Sequence, residues 1–305
     1  MGNLMIAMSG GTTTVINATL AGIVEEARRL GYAGHVYAGV HGLHGVLAED
    51  ILDLTRVSSE TLRLLASTPA SGFAGTARLK PLDDAEMNRI ADVFEAHDVD
   101  AFLNIGGNGT IRQSMSVSER LNGQTQVIAL PKTVDNDFGD SAFETMFFTP
   151  GFPSIVNYWS HKVNILNQEN EGACQHDKVL VAMTFGRETG FIAGSARLSD
   201  PGRELPMLIL LPEDQREPQD VLVAIENLVR RRGRALVVVC HGYRIDDVGA
   251  RYDPSGQVMY GSCQSNAAQL LTNLCNDHGI QARLFVPEVD QRDEILLTCD
   301  TDIEI

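Results

Sequence analysis

Short apolar runs alternate with longer stretches in which apolar residues recur every three or four positions. Asn3 to Met8 is the first such run, and a helical pattern follows to Leu30 with Ile16, Leu20, Ile23, Val24 and Ala27 on one face. His35 to Val40 reads as a second strand, Asp83 to His97 as an amphipathic helix, and Ala101 to Ile105 as a buried strand leading to a helix that begins near Ile111. Val127 to Leu130 is another buried strand, closed by Pro131. The alternation continues with a helix over 154–166 and strands at Lys178 to Met183 and Leu208 to Leu211. A helix from Val221 to Arg232 has arginines in its last turn, as the helix dipole prefers. Then come a strand at Ala235 to Val239, a helix at Ala267 to His278 and a strand from Arg283 to Val289. Strand–helix alternation of this kind predicts an α/β protein with mainly parallel sheets. We expect two Rossmann-like, three-layer αβα domains facing one cleft. Residues 1–138 form the first, with 255–280 and 293–305 packed on it, and residues 139–292 form the second. There is no repeat, low-complexity tract or long linker.

Composition narrows the partners. The chain has 305 residues, 44% apolar and 21% charged, which suits two buried cores rather than disorder. A formal net charge of −16 argues against nucleic acid or an anionic membrane as partner, and means that any phosphate site must gather its cations locally. The five cysteines show no C-x-x-C spacing, so neither a metal site nor a disulfide framework is indicated, and a reducing cytoplasm is the expected location. No basic segment followed by a long apolar stretch opens the chain, Ile6 breaks the myristoylation pattern after Gly2, and no apolar run approaches the roughly 20 residues of a membrane span.

Candidate chemistry gathers where strands end. After the strand closed by Pro131 stand Lys132, Thr133, Asp135 and Asp137: a cation, a hydroxyl and two carboxylates. Open α/β sheets hold ligands at such carboxyl ends. A lysine there can neutralise a phosphate, one aspartate can take a proton from a hydroxyl, and the other can help hold Mg²⁺. Gly10 and Gly11 follow the first strand, and Gly106, Gly107, Asn108, Gly109 and Thr110 follow the strand at 101–105. Glycine turns between strand and helix let the backbone approach a phosphate. There is no P-loop, and Arg112 stands where a dinucleotide-binding fingerprint would need its third glycine. His41 and His44 lie in a glycine-rich stretch with no third metal ligand, which reads as a loop.

PKTVDND at 131–137 resembles the PKTIDND signature of the phosphofructokinase family, in the lysine form typical of its pyrophosphate-dependent members. GGTTTVINATLAG at 10–22 is similar to that subgroup's GGPTAVINASLAG, Gly75 to Arg78 to the family's GSxR, and GGNGT at 106–110 to its GGDGS/T. The last of these also resembles the GGDGT of NAD and diacylglycerol kinases, which lack a PKTxDND segment. Phe185-Gly186-Arg187 resembles MGRxxG, with Lys178 nine residues before Arg187. Gln291 and Arg292 fall where the family has the QR of its QRGG.

The resemblance covers roughly residues 3–292 and implies a phosphotransferase. Its catalytic set would be Asp135 as base with Lys132, Thr133 and Asp137. Gly10, Gly11, Arg78, Gly107, Asn108, Gly109 and Thr110 would bind the phosphoryl donor, pyrophosphate or ATP, and Asn108 and Asp137 would bear on Mg²⁺. Lys178, supplied by a neighbouring subunit of a homodimer or homotetramer, would join Phe185, Gly186, Arg187, His241 and Arg292 at a sugar-phosphate acceptor. Several departures leave alternatives open. Phe185 replaces a methionine, His241 a glutamate, and Glu288, Asp293 and Glu294 the glycines around Arg292. The same chemistry on another sugar phosphate or polyol would fit Phe185 and His241; a catalytically weak sugar-phosphate-binding or regulatory relative would fit His241 and Glu288 together with Asn108, which stands where the family has aspartate. Lys132 points to pyrophosphate, whereas Gly109 leaves room for ATP.

Overall fold

The computed structural model describes residues 2–68, 73–138, 146–214, 216–243, 251–254, 256, 258–259 and 266–305. Its first half runs β1 (Asn3–Met8), α1 (Thr14–Arg29), β2 (Val36–Gly39), α2 (Leu43–Ala48), β3 (Ile51–Asp53), α3 (Ser59–Leu65), α4 (Asp84–Ala96), β4 (Val99–Gly106), α5 (Asn108–Leu121) and β5 (Gln126–Pro131). These strands form one sheet in the order β3-β2-β1-β4-β5, parallel except for the β2–β3 pair. Successive side chains of a strand face opposite sides. Ile6 and Met8 of β1 therefore pack with Ile16, Leu20, Leu62 and Leu65 of α1 and α3, while Met5 and Ala7 pack with Ile90, Phe94, Val117 and Leu121 of α4 and α5. A capping box between Asp83 and Glu86 starts α4.

The second half runs α6 (Phe152–Ala173), β6 (Val179–Thr184), α7 (Phe191–Ser195), β7 (Met207–Leu210), α8 (Pro218–Arg232), β8 (Ala235–Cys240), α9 (Ala267–Asp277), β9 (Ala282–Phe285), α10 (Asp290–Asp293) and α11 (Asp300–Glu304). Its sheet, β7-β8-β6-β9, is wholly parallel. Every residue of β6 and β8 is buried, as expected where helices cover both faces of a parallel sheet. Proline at the first position of α8 and Gly233 at φ +78° just past its end mark that helix's limits. Among the described residues no helix is long and apolar enough to cross a membrane.

Several expectations are corrected. Helix α9, expected on the first sheet, packs through Leu271 and Cys275 into the core of the second, because its apolar stripe meets β6 and β9. Helix α11 contacts both α1 and α6, and buried Asp302 accepts hydrogen bonds from the Gly151 and Ser154 amides, capping α6 from the far end of the chain. The stretch around His44, expected as a loop, is helix α2. Strand β9 ends at Phe285, short of Val289, and α5 begins at Asn108 rather than near Ile111.

Candidate active site

Strands β1 and β4 are neighbours from which the chain winds in opposite directions, a crevice-forming arrangement in α/β sheets. The turns after them, Gly10-Gly11 and Gly107-Asn108-Gly109-Thr110, line a cleft of about 1060 Å³. From the second sheet the cleft receives Phe185 and Arg187 after β6, His241 after β8, and Glu288, Gln291 and Arg292 after β9. Lys132, Thr133, Asp135 and Asp137 lie in the segment that leaves the first sheet, and line the same cleft. Residues distant in the chain thus converge on one opening.

The glycines of the first turn sit where cations need room. A Cβ on Gly10, whose φ is +86°, would lie 3.2 Å from the Lys132 Nζ, and one on Gly11 would come within 2.6 Å of an Arg292 guanidinium nitrogen. Lys132 is only 4% exposed, and its Nζ donates to the Gly11 carbonyl at 2.8 Å. Helix α5 points its N-terminus into the cleft, which favours an anion there. Arg78 reaches the cleft too, with its guanidinium 2.6 Å from the buried carboxylate of Asp253.

The turn carrying the two aspartates is held by Asn136, Thr149 and Thr189, which the sequence did not single out, and by Thr133. Asn136 lies between the aspartates at φ +54°, buried, and its side-chain oxygen accepts the Thr149 amide at 2.8 Å. That contact holds a non-glycine residue in the left-handed region, where strain is expected. The Thr133 hydroxyl accepts the Asp135 amide at 3.2 Å, so it shapes the turn as well as lining the cleft. Thr189, just after the Phe185 turn, donates to the Asp135 carbonyl at 2.8 Å and links the two lobes.

Burial sets the charges. It pushes the Asp135 carboxyl up to about 6, helped by the neighbouring Asp137 and opposed by Arg187, Lys132 and Arg292. Burial likewise pushes the Lys132 ammonium down to about 7, with Arg292 and Arg78 adding to the effect and Asp135 and Asp293 opposing it. Asp137 is raised by burial and receives the Asn108 amide NH₂ at 2.8 Å. Its Oδ1 is buried without a hydrogen-bond partner among the described residues, an orphaned carboxylate oxygen of the kind that suits a hard cation. Among those residues there is no cluster of three or more His, Cys, Asp or Glu side chains that could hold a metal by themselves. Burial, then Arg187, pushes His241 down to about 3, so its ring is neutral at ordinary pH.

Two expected site residues stand apart from the cleft. Gly186 shapes it from behind: its φ is +112°, and its carbonyl accepts the Gly242 amide at 3.0 Å, locking the turns after β6 and β8 together. Lys178 precedes β6, at the end opposite Phe185, where its carbonyl accepts the Ala235 amide. Within one chain it does not reach the cleft. Asp253, Asn136 and Thr189 were missed because their partners lie far away in sequence.

The comparisons agree along the whole chain. The family model described as Phosphofructokinase matches residues 3–295. The chain is 32% identical to the pyrophosphate–fructose 6-phosphate 1-phosphotransferase of Methylococcus capsulatus, covering 99% of this chain and 73% of that one. It is 33% identical to the enzyme of the same name from Xanthomonas campestris pv. campestris, over 99% of this chain and 73% of that one. The crystal structure of the pyrophosphate-dependent phosphofructokinase from Nitrosospira multiformis superposes with a TM-score of 0.84 at 32% identity, covering 99% of this chain and 73% of that one. Matched in sequence and in fold from β1 through α10, this chain belongs to the phosphofructokinase family.

Proposed function

We propose that this protein transfers the terminal phosphoryl group of pyrophosphate to a hydroxyl of a sugar phosphate, as a pyrophosphate–fructose 6-phosphate 1-phosphotransferase. The observation that carries the reading is the convergence of Lys132, Asp135 and the two glycine turns on one cleft. The first lobe, residues 1–138, binds the donor, and the second, mainly 139–292 with α9 included, binds the acceptor.

The acceptor hydroxyl oxygen attacks the terminal phosphorus, and the bridging P–O bond breaks. The hydroxyl proton passes to Asp135, and orthophosphate leaves. A carboxylate with its proton affinity raised to about 6 is ionised at neutral pH yet basic enough for that proton. Lys132, Arg78 and the backbone of Gly10, Gly11, Gly107, Gly109 and Thr110 balance charge on the pyrophosphate, so catalysis is mostly positioning and charge neutralisation. Arg187 and Arg292 take the acceptor's phosphate, with Phe185 and His241 lining its sugar. The free Oδ1 of Asp137 and the side chain of Asn108 fit Mg²⁺ bound chiefly through substrate oxygens. When bound, the ion would neutralise pyrophosphate charge. The placement of Lys178 at the far end of β6 supports a homodimer or homotetramer in which it serves a neighbouring copy.

Pyrophosphate is preferred to ATP because Lys132 occupies the space beside Gly10 and Gly11. A Cβ on Gly109 would meet nothing within 4 Å, so nucleotide is not excluded by crowding at that position. A second acceptor is favoured by one observation: the neutral His241 ring lies 5.5 Å from the Phe185 ring, filling that wall with aromatic surface. Initial rates over a grid of donors (pyrophosphate, ATP) and acceptors (fructose 6-phosphate, other sugar phosphates, polyols) test the proposal. The expected result is a kcat/KM for pyrophosphate at least about a hundredfold above that for ATP, equivalent to about 3 kcal/mol. Ligand binding without turnover for any pair would overturn it in favour of a binding role.

A further inference from the structure

We propose that Gln291 is a positioning residue for the acceptor turn, an inference that rests on the acceptor reading of Phe185 and Arg187. Gln291 is 2% exposed, and its side-chain oxygen accepts two hydrogen bonds, from the Phe185 amide at 2.9 Å and from the Trp159 indole at 3.0 Å. Both partners are donors only, so the amide oxygen must face them and the orientation of the side chain is unambiguous. Phe185 immediately precedes Gly186, whose φ is +112° and whose carbonyl is held by the Gly242 amide. One short helix, α10, holds the Phe185 side of the turn. Arg292, next in sequence, lies over the Phe185 ring at 5.4 Å, and Asp290 accepts the Tyr158 hydroxyl at 2.8 Å. Adjacent residues of α6, Tyr158 and Trp159, thus hold adjacent residues of α10, and α10 holds both the backbone and the ring of Phe185. Gln291 borders the cleft, but its side-chain oxygen is taken up by Phe185 and Trp159, so it acts through the turn and sets where Phe185 and Arg187 meet the acceptor.

Gln291→Met keeps the side chain's length and removes the acceptor oxygen, leaving two buried donors unsatisfied, whereas Gln291→Glu keeps an oxygen in place. The Met variant is expected to raise KM for the sugar phosphate roughly tenfold, the usual effect of stranding a buried donor, with KM for pyrophosphate within about twofold and kcat affected less than the acceptor KM. The Glu variant is expected to recover most of that loss. Trp159 is the chain's single tryptophan. Its emission should shift in the Met variant and, in the unaltered protein, should respond to fructose 6-phosphate but not to pyrophosphate. Equal increases in both KM values, a loss confined to kcat, or a Glu variant no better than Met would overturn the proposal. If the Met variant does not fold, a wild-type emission blind to saturating fructose 6-phosphate would do so. If the wild type turns over no sugar phosphate, the functional reading fails. Trp159 emission in the Met variant then still decides whether Gln291 anchors α6 to the turn.

Discussion

Replacing Asp135 by asparagine should abolish transfer and, at neutral pH, make the protein more stable. The magnitude follows from the half-buried, largely desolvated carboxyl. Its proton affinity rises from 3.8 in the unfolded chain to about 6 when folded, because burial and Asp137 outweigh the cations around it. That is about 2 pH units, and at 1.36 kcal/mol per unit the ionised group costs the folded state about 3 kcal/mol. An acid raised on folding is harmless below its unfolded value, where both states are protonated. The penalty grows as pH climbs from about 4 and is complete above about 6. Asparagine has the same shape and no charge, so it should recover about 3 kcal/mol at pH 8 and only about 1 kcal/mol at pH 4.5. For a chain of this length the pH 8 gain corresponds to a rise of about 5 °C in Tm. Thermal unfolding of the wild type and Asp135→Asn at both pH values measures it. An asparagine variant that melts at or below the wild type at pH 8 would refute the reasoning. Lys132 and Arg187 would then more than offset the desolvation, and Asp135 would not be a base held ready near neutrality.

Other consequences can be checked on the same material. The base form of Asp135 grows above about 6 and the Lys132 cation fades above about 7, so kcat/KM should be bell-shaped with a maximum near pH 6.5. Bound pyrophosphate should hold the Lys132 proton, shifting the alkaline limb of kcat upward; identical limbs in both profiles would contradict this. Arg78→Ala should raise KM for pyrophosphate by about tenfold to a hundredfold, the loss of a charge-assisted contact, and leave KM for the sugar phosphate nearly unchanged. Gly186→Ala puts a Cβ at φ +112° and 2.8 Å from the Thr189 carbonyl, and should cost roughly 1–3 kcal/mol of stability, read as a lower urea midpoint.

What the sequence conveyed was local. Apolar runs at 3–8 and 178–183 and the 3.6-residue stripe of α1 are patterns of near neighbours, and they fall within a residue of the strands and on the helix observed. Residues packed into one short segment, Lys132 to Asp137, were likewise legible as a candidate site, and Lys132, Thr133, Asp135 and Asp137 line one cleft. Elements too short to hold a period were not: β3 spans three residues, and α2 hides in a stretch whose glycines and histidines read as a turn. The start of α5 was misjudged because Gly107, Asn108 and Gly109 have loop chemistry, yet they form the helix cap and first turn that face the cleft. Contacts between distant positions were invisible altogether. Arg78 with Asp253, Gln291 with Trp159, and Asp302 with the start of α6 depend on how segments far apart in the chain pack together. No spacing along the chain encodes that. Asn136 gave a faint signal, since asparagine tolerates the left-handed conformation that separates the two aspartates.

Phosphorus NMR of pyrophosphate with fructose 6-phosphate, run on the wild type and on Asp135→Asn, addresses the catalytic assignment most directly. We expect each pyrophosphate consumed to yield one orthophosphate and one new sugar phosphomonoester, with the rate falling by about a thousandfold or more in the variant. Release of two orthophosphates with no new monoester, or an undiminished rate without the carboxylate, would contradict it.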